Sequence, residues 1–138
     1  MWKYKGKIVK VPPEGKYGFC YKITCNHPDY EGFIYVGKKT FTFRKKKRIA
    51  KKARTSRKRM EVIHTDSDWQ NYWGSSKWMN EVRALIGDKY FEREILSFAS
   101  NKTDLSLQEW EWIINLNVLR IEKAFNLWAS GRIYKKHL

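Results

Sequence analysis

The stretch that decides the fold runs from Tyr17 to Lys39, YGFCYKITCNHPDYEGFIYVGKK. Phe19, Tyr21 and Ile23 alternate with Cys20, Lys22 and Thr24, the period of two that marks a half-buried strand. Asn26 to Gly32 supplies turn chemistry through Pro28, Asp29 and Gly32, and Phe33 to Gly37 returns as a second run of aromatic and β-branched residues. The pattern predicts a β-hairpin that holds two tyrosines, Tyr21 and Tyr35, on paired strands. Gly37, Lys38 and Lys39 close it, so positive charge follows the second tyrosine at once.

Working outward, 138 residues make about one ordinary domain, and a single domain over residues 1–138 is expected. Val9, Val11, Pro12 and Pro13 read as an extended approach to the hairpin. Met1 to Lys10 is basic without an apolar run, and no segment nears the roughly 18 uninterrupted apolar residues of a bilayer crossing. A soluble, intracellular chain with no membrane partner is therefore expected. Cys20 and Cys25 fall on opposite faces of one predicted strand, poorly placed to bridge, and read as reduced thiols. Downstream, Ser76 caps a predicted helix over Lys77 to Ile86, with Trp78, Val82, Leu85 and Ile86 as its apolar stripe and Gly87 as its stop. Tyr90 to Phe98 reads as a third strand. Ser106 to Phe125 reads as a long amphipathic helix with Leu107, Trp110, Ile114, Val118 and Ile121 at helical spacing. The order is β-β-basic arm-α-β-α in one layered α+β domain.

Charge is concentrated rather than spread. Of a formal net +15, the stretch from Lys38 to Arg59 contributes 13 lysines and arginines and no acid. Within it the run from Arg44 to Arg59, with only Ile49 and alanines as apolar contacts, does not belong to a core, although its composition permits a helix once its charge is neutralised. A solvated loop ordinarily mixes signs; unbroken positive charge is the footprint of a polyanion, phosphate above all. An anionic membrane ranks lower, because the arm has no apolar face to insert. Residues about 44–60 are read as an arm inserted after the second strand, with Lys39, Lys45, Lys46, Lys47, Arg48, Lys51, Lys52, Arg54, Arg57, Lys58 and Arg59 as nucleic-acid contacts.

Few carboxylates are candidates for chemistry. Asp66 and Asp68 sit where turns or caps are expected, and Glu92 and Glu94 alternate with Arg93 on the third strand. Glu109 lies beside Trp110 and Trp112, but Ser106 to Glu109 also spells a capping box in which the glutamate bonds back to the cap residue. Cys25, His27, His64 and His137 lack the spacing of a zinc site. There is no nucleophile-elbow signature and no phosphate-binding glycine loop.

In this order the motifs resemble the GIY-YIG nuclease family. Phe19-Cys20-Tyr21 stands at the first motif, degenerate but keeping its tyrosine, and Tyr35-Val36-Gly37 at the second. Lys38 follows the motif glycine and Arg44 lies shortly downstream. Ser67 to Lys77 (SDWQNYWGSSK), the FEREIL strand, LSLQEWEW with Glu109 at the metal-binding position, and Asn126 complete the match. The pattern spans nearly the whole chain from Tyr17 onward and is most similar to the free-standing, homing-type endonucleases of tailed phages. The resemblance implies a small three-stranded antiparallel sheet flanked by helices, in the cytoplasm of a phage-infected bacterial cell.

It also implies roles: Glu109 as ligand of Mg²⁺ or Mn²⁺, and Tyr21, Tyr35, Lys38 and Arg44 around the scissile phosphate. Asn126 belongs to the same catalytic set, Tyr72 stands where some members carry a histidine, and the basic run leaves Arg44, Lys45 and Arg48 competing for the arginine's place. One carboxylate suffices, because Mg²⁺ fills its octahedron with water and phosphate. A phenol near pKa 10 needs a nearby cation to act as a base near neutral pH, which Lys38 or Arg44 could supply; Tyr35 is the favoured base. The function expected is a metal-dependent DNA endonuclease, with a homodimer or a separate recognition partner left open. Its rival is a non-catalytic basic nucleic-acid-binding protein of ribosomal or packaging type.

Overall fold

A computed structural model describes residues 1–54, 57, 59–129 and 133–138. Its strands and helices are β1 (Lys3–Tyr4), β2 (Lys7–Ile8), β3 (Gly18–Cys25), β4 (Ile34–Thr40), β5 (Thr42–Arg48), β6 (Met60–Asp66), α1 (Lys77–Ile86), β7 (Phe91–Ala99), α2 (Lys102–Asn115), β8 (Trp128–Ala129) and β9 (Ile133–Tyr134). The hairpin read from the sequence is β3 and β4, paired from Gly18↔Thr40 to Thr24↔Ile34. β7 joins β3 antiparallel on its other side, with a register shift between Cys20 and Tyr21.

The expected three-stranded antiparallel sheet is too small. β1 pairs parallel with the open edge of β7 and β2 follows it, so the sheet is mixed and five-stranded, in the order β2-β1-β7-β3-β4. Two-residue strands leave no periodicity to read. Their anchor is Trp2, buried, with its indole N–H donating to the carbonyl of Trp69 at 2.6 Å.

β3 is an inner strand, with both faces covered by packed side chains, and it is buried almost throughout. Phe19, Tyr21, Ile23 and Cys25 point to one side, into an aromatic core with Trp2, Phe41, Trp69, Met79 and Val82. Cys20 points to the other, against Ala99 and Leu105 of α2. Val36 packs on that side with Ile113, Val118 and Leu119.

α1 has the expected bounds, with the Ser76 hydroxyl accepting from the Met79 N–H at 3.1 Å; Met79 and Val82 are buried, whereas Leu85 faces solvent. α2 departs from expectation. It starts four residues earlier, capped by Asn101, whose side chain accepts from the Asp104 N–H at 2.8 Å, and it stops at Asn115, because Asn117 adopts a left-handed φ of 55°. The buried stripe is consequently Leu105 and Ile113, while Leu107 and Ile114 are exposed.

The basic arm is a ribbon. β5 and β6 pair antiparallel from Thr42↔Asp66 to Arg48↔Met60. The β-branched residues of Met60–Asp66 give the lysine run a partner strand, so the inserted basic arm, whose composition alone permits a helix, extends as a hairpin. Its base is fixed by buried Phe41 and by the Ser67 hydroxyl donating to the Thr40 carbonyl at 2.6 Å. Lys58 lies outside the described residues. Among those described, no helix is long and apolar enough to cross a membrane.

Candidate active site

β4 is an edge strand, so side chains from both faces of the sheet can meet beyond it. They do so in a cleft of about 410 Å³ lined by Tyr21, Tyr35, Gly37, Lys38, Glu109 and Asn126, with Ser75, Ser76 and Lys77 on the opposite wall. Tyr21 faces Gly37 across the hairpin. The glycine has no side chain, and a Cβ there would stand 2.5 Å from the Tyr21 hydroxyl. Tyr35 lies on the same face, its ring 6.2 Å from that of Tyr21, with its hydroxyl 3.2 Å from the Ser75 hydroxyl. Gly74, at φ +87°, lets both rings approach the loop; a Cβ there would lie 3.0 Å from Tyr35 and 3.2 Å from the Tyr21 hydroxyl.

Strand alternation turns Lys38 to the other face. Its ammonium donates to the Ser106 hydroxyl at 2.9 Å and pairs with Glu109 at 3.9 Å. Lys38 is thus committed to α2 rather than to Tyr35. Burial raises the Tyr35 phenol above its ordinary value, with the Ser75 hydrogen bond only partly opposing it. Tyr21 is pushed well up, first by burial and then by Tyr35 and Tyr72. The cation-lowered phenol expected from the sequence is not what the fold builds.

The capping box also fails. Ser106 and Glu109 lie inside α2, whose cap is Asn101, so Glu109 is free to point into the cleft. Burial raises its carboxyl above the usual range, and the charge of Lys38 opposes this in part. A half-buried carboxylate with one incompletely neutralising partner is chemically suited to a divalent cation. Among the described residues, no group of three or more His, Cys, Asp or Glu side chains gathers to hold a metal, so an ion here would rest on Glu109, water and a substrate oxygen, as Mg²⁺ commonly does.

The remaining candidates divide. Asn126 is at the cleft, but buried, and its amide is spent on the backbone of Val36: Oδ1 accepts from the Val36 N–H at 2.9 Å and Nδ2 donates to its carbonyl at 2.8 Å. It splints the edge of β4 as a further strand would. Arg44 does not reach the cleft; it lies exposed on β5, opposite His64, so the second cation of the cleft is Lys77. Tyr72 packs edge-on against Tyr21 at 6.1 Å beneath the ammonium of Lys39, 4.1 Å away. Lys39 is itself tied to Asp68 at 2.6 Å, a structural pair rather than a free contact. Lys45, Lys46, Lys47, Arg48, Lys51, Lys52, Arg57 and Arg59 are exposed, and Arg54 donates to the Ile49 carbonyl at 3.3 Å in the ribbon's turn.

The polar cleft residues to which sequence reasoning gave no site role are Ser75, Ser76 and Lys77. A serine pair and a lysine in a polar loop carry no periodic signal; only the register of the GSSK segment, within the motif already noted, could have pointed to them.

A family model described as "Putative endonuclease segE, GIY-YIG domain" matches residues 2–130. Among curated proteins and among solved structures, none matches the chain significantly.

Proposed function

The chain belongs to the GIY-YIG family of endonucleases, and on that premise we propose that it hydrolyses DNA phosphodiesters with Mg²⁺ or Mn²⁺, as a free-standing homing-type enzyme of a phage. The observation that carries this reading is the convergence of Tyr21, Tyr35, Lys38 and Glu109 on one cleft, in a chain that also carries a strongly basic ribbon. A protein that only grips nucleic acid needs the ribbon but not a half-buried carboxylate facing two tyrosines.

In this reading Glu109 holds the ion, which when bound supplies positive charge to the phosphate oxygens and the leaving oxygen. Lys38 and Lys77 add charge at the cleft wall, where it offsets the charge that develops on the phosphate. The Tyr21 hydroxyl, fixed over Gly37, orients a phosphate oxygen. Tyr35, held by Ser75, orients the attacking water and in its phenolate form takes the water's proton as the water oxygen bonds to phosphorus; the ester P–O bond breaks and the departing alkoxide takes a proton from solvent. Asn126 positions β4 and touches no substrate. The exposed lysines and arginines of the ribbon supply the sequence-independent grip. Target choice comes from the ribbon, a second copy or a partner.

The test is direct. Supercoiled plasmid incubated with the protein and Mg²⁺ or Mn²⁺ should be relaxed or linearised, and EDTA should prevent it. Binding that shifts the plasmid without cutting it under either metal would leave the non-catalytic reading in its place.

A further inference from the structure

A second concavity, about 640 Å³, lies away from the cleft between the ribbon and the start of α2. Tyr17, Thr42, Arg44, Val62, His64 and Lys102 line it. Cross-strand pairing explains the grouping: Thr42 and Arg44 of β5 and Val62 and His64 of β6 occupy one face of the ribbon. Lys102, in the first turn of α2, faces them from the body. The lining offers a guanidinium, an ammonium, an imidazole N–H and two hydroxyls, the donor set that suits phosphodiester oxygens. Among the described residues no carboxylate lines it; Asp66 borders it on the same ribbon face, cross-strand from Thr42, and Asp104, near Lys102, is held by Gln108 at 2.8 Å.

The trough and the cleft share a helix side. Lys102, Ser106 and Glu109 recur at i, i+4 and i+7, and Lys38 engages the latter two. At about 1.5 Å per residue, Lys102 stands roughly 10.5 Å from Glu109 along α2. Successive phosphates of a strand wind round the duplex and stand farther apart than the roughly 3.4 Å axial rise, so a spacing of this size reaches a phosphate about one or two nucleotides away. Beyond the trough, Arg44, Lys46 and Arg48 follow one another along the same ribbon face at about 6.8 Å intervals, whereas Lys45 and Lys47 look the other way, with Glu61 opposite Lys47.

We propose that this trough is a second backbone-binding subsite, in which Arg44, His64 and Lys102 hold a phosphate of the DNA one or two nucleotides from the one cut beside Glu109. The ribbon face of Lys46 and Arg48 continues the same track. The inference rests on the endonuclease reading of the cleft, and it gives Arg44 a place in binding rather than at the scissile phosphate.

The test uses a labelled duplex that carries a mapped cleavage site, the wild-type protein, Arg44→Ala/Lys102→Ala, and Lys45→Ala/Lys47→Ala from the opposite ribbon face. All four side chains are exposed, so the fold is kept. The Arg44/Lys102 variant should lower the slope of log affinity against log salt by about 2. Ethylating the phosphates one or two nucleotides from the cut should weaken wild-type binding but no longer weaken that of the Arg44/Lys102 variant, while the Lys45/Lys47 variant keeps this sensitivity. Retained sensitivity in the Arg44/Lys102 variant, or none in the wild type, overturns the subsite alone. A wild-type protein that cuts no DNA with either metal overturns the endonuclease reading, and the subsite with it.

Discussion

The hydroxyl of Tyr21 occupies the space that a side chain at Gly37 would fill: a Cβ there would sit 2.5 Å from the oxygen and 2.7 Å from the ring carbon that bears it. Tyr21 is buried and sits in a packed aromatic core, so it has little room to yield. Gly37→Ala should therefore cost about 1–3 kcal/mol by overpacking and displace the hydroxyl from the cleft. Urea denaturation should register the first effect. Plasmid cleavage by the folded fraction should be lost more completely than stability, because the displaced group is the one proposed to orient the phosphate.

Asn126 offers the opposite case, a residue at the cleft whose work is structural. Its amide satisfies both backbone groups of Val36 on the exposed edge of β4. Asn126→Ala leaves a buried N–H and C=O unpartnered, each costing about 1–3 kcal/mol. The Val36 amide should exchange its hydrogen markedly faster in the variant. Cleavage by the folded fraction should decline through misplacement of β4. A variant with wild-type stability and no activity would instead put Asn126 on the substrate.

The hairpin, α1 and β7 are legible because each carries a run of apolar residues of the right period, ended by glycine or proline chemistry in the hairpin and α1 and by the polar stretch after Ala99 in β7. β1 and β2 are not, since a two-residue strand has no period and its anchor is a single tryptophan, Trp2. The end of α2 was hidden for a different reason: Val118 and Ile121 continue the helical spacing past Asn115, and only the left-handed turn at Asn117 moves them off the helix. Glu109 could be named from its motif, but not its environment, which depends on Lys38 arriving from another strand. The arm's place after the second strand is legible from its charge, but not its strand pairing, because a lysine-rich segment gives no strand signal until its partner strand, Met60–Asp66, is paired with it.

Cys20 tests the burial of the α2 face. Its thiol is pushed up to about 12, chiefly by burial and then by the charge of Glu109, and burial raises Cys25 as well. The thiolate is the reactive form, so neither cysteine should be alkylated by iodoacetamide at mildly alkaline pH in the native protein, and both should react in urea. Rapid native labelling of Cys20 would mean that α2 lifts readily from the sheet.

Tyr35→Phe removes one oxygen and keeps the ring. Folding and DNA affinity should persist, while loss of general-base assistance should slow cleavage by about 10² to 10⁴. Because burial raises the phenol, its base form is scarce at neutral pH. The wild-type rate should therefore climb about tenfold per pH unit into the alkaline range, and the phenylalanine variant should lack that climb. A wild-type rate that levels off below pH 8 would remove Tyr35 from the role of base.

Glu109→Gln separates catalysis from stability most sharply. The folded carboxyl titrates above its ordinary value, so between the unfolded and folded pKa values the native state binds more protons than the unfolded state does. Stability then falls as pH rises through that interval, and the loss is complete above the folded pKa. Glutamine does not titrate and escapes the penalty. Near neutral pH the variant should melt no lower than the wild type, and its advantage should shrink as pH is lowered through the interval. Lys38, partly exposed and still bonded to Ser106, tolerates the loss of its partner. Cleavage should nonetheless drop by at least about 10²-fold, the scale on which single electrostatic contacts to a transition state are felt, with DNA affinity about intact because no phosphate contact is removed. A lower melting temperature with activity retained would return Glu109 to a structural part and leave the cleft without its metal ligand.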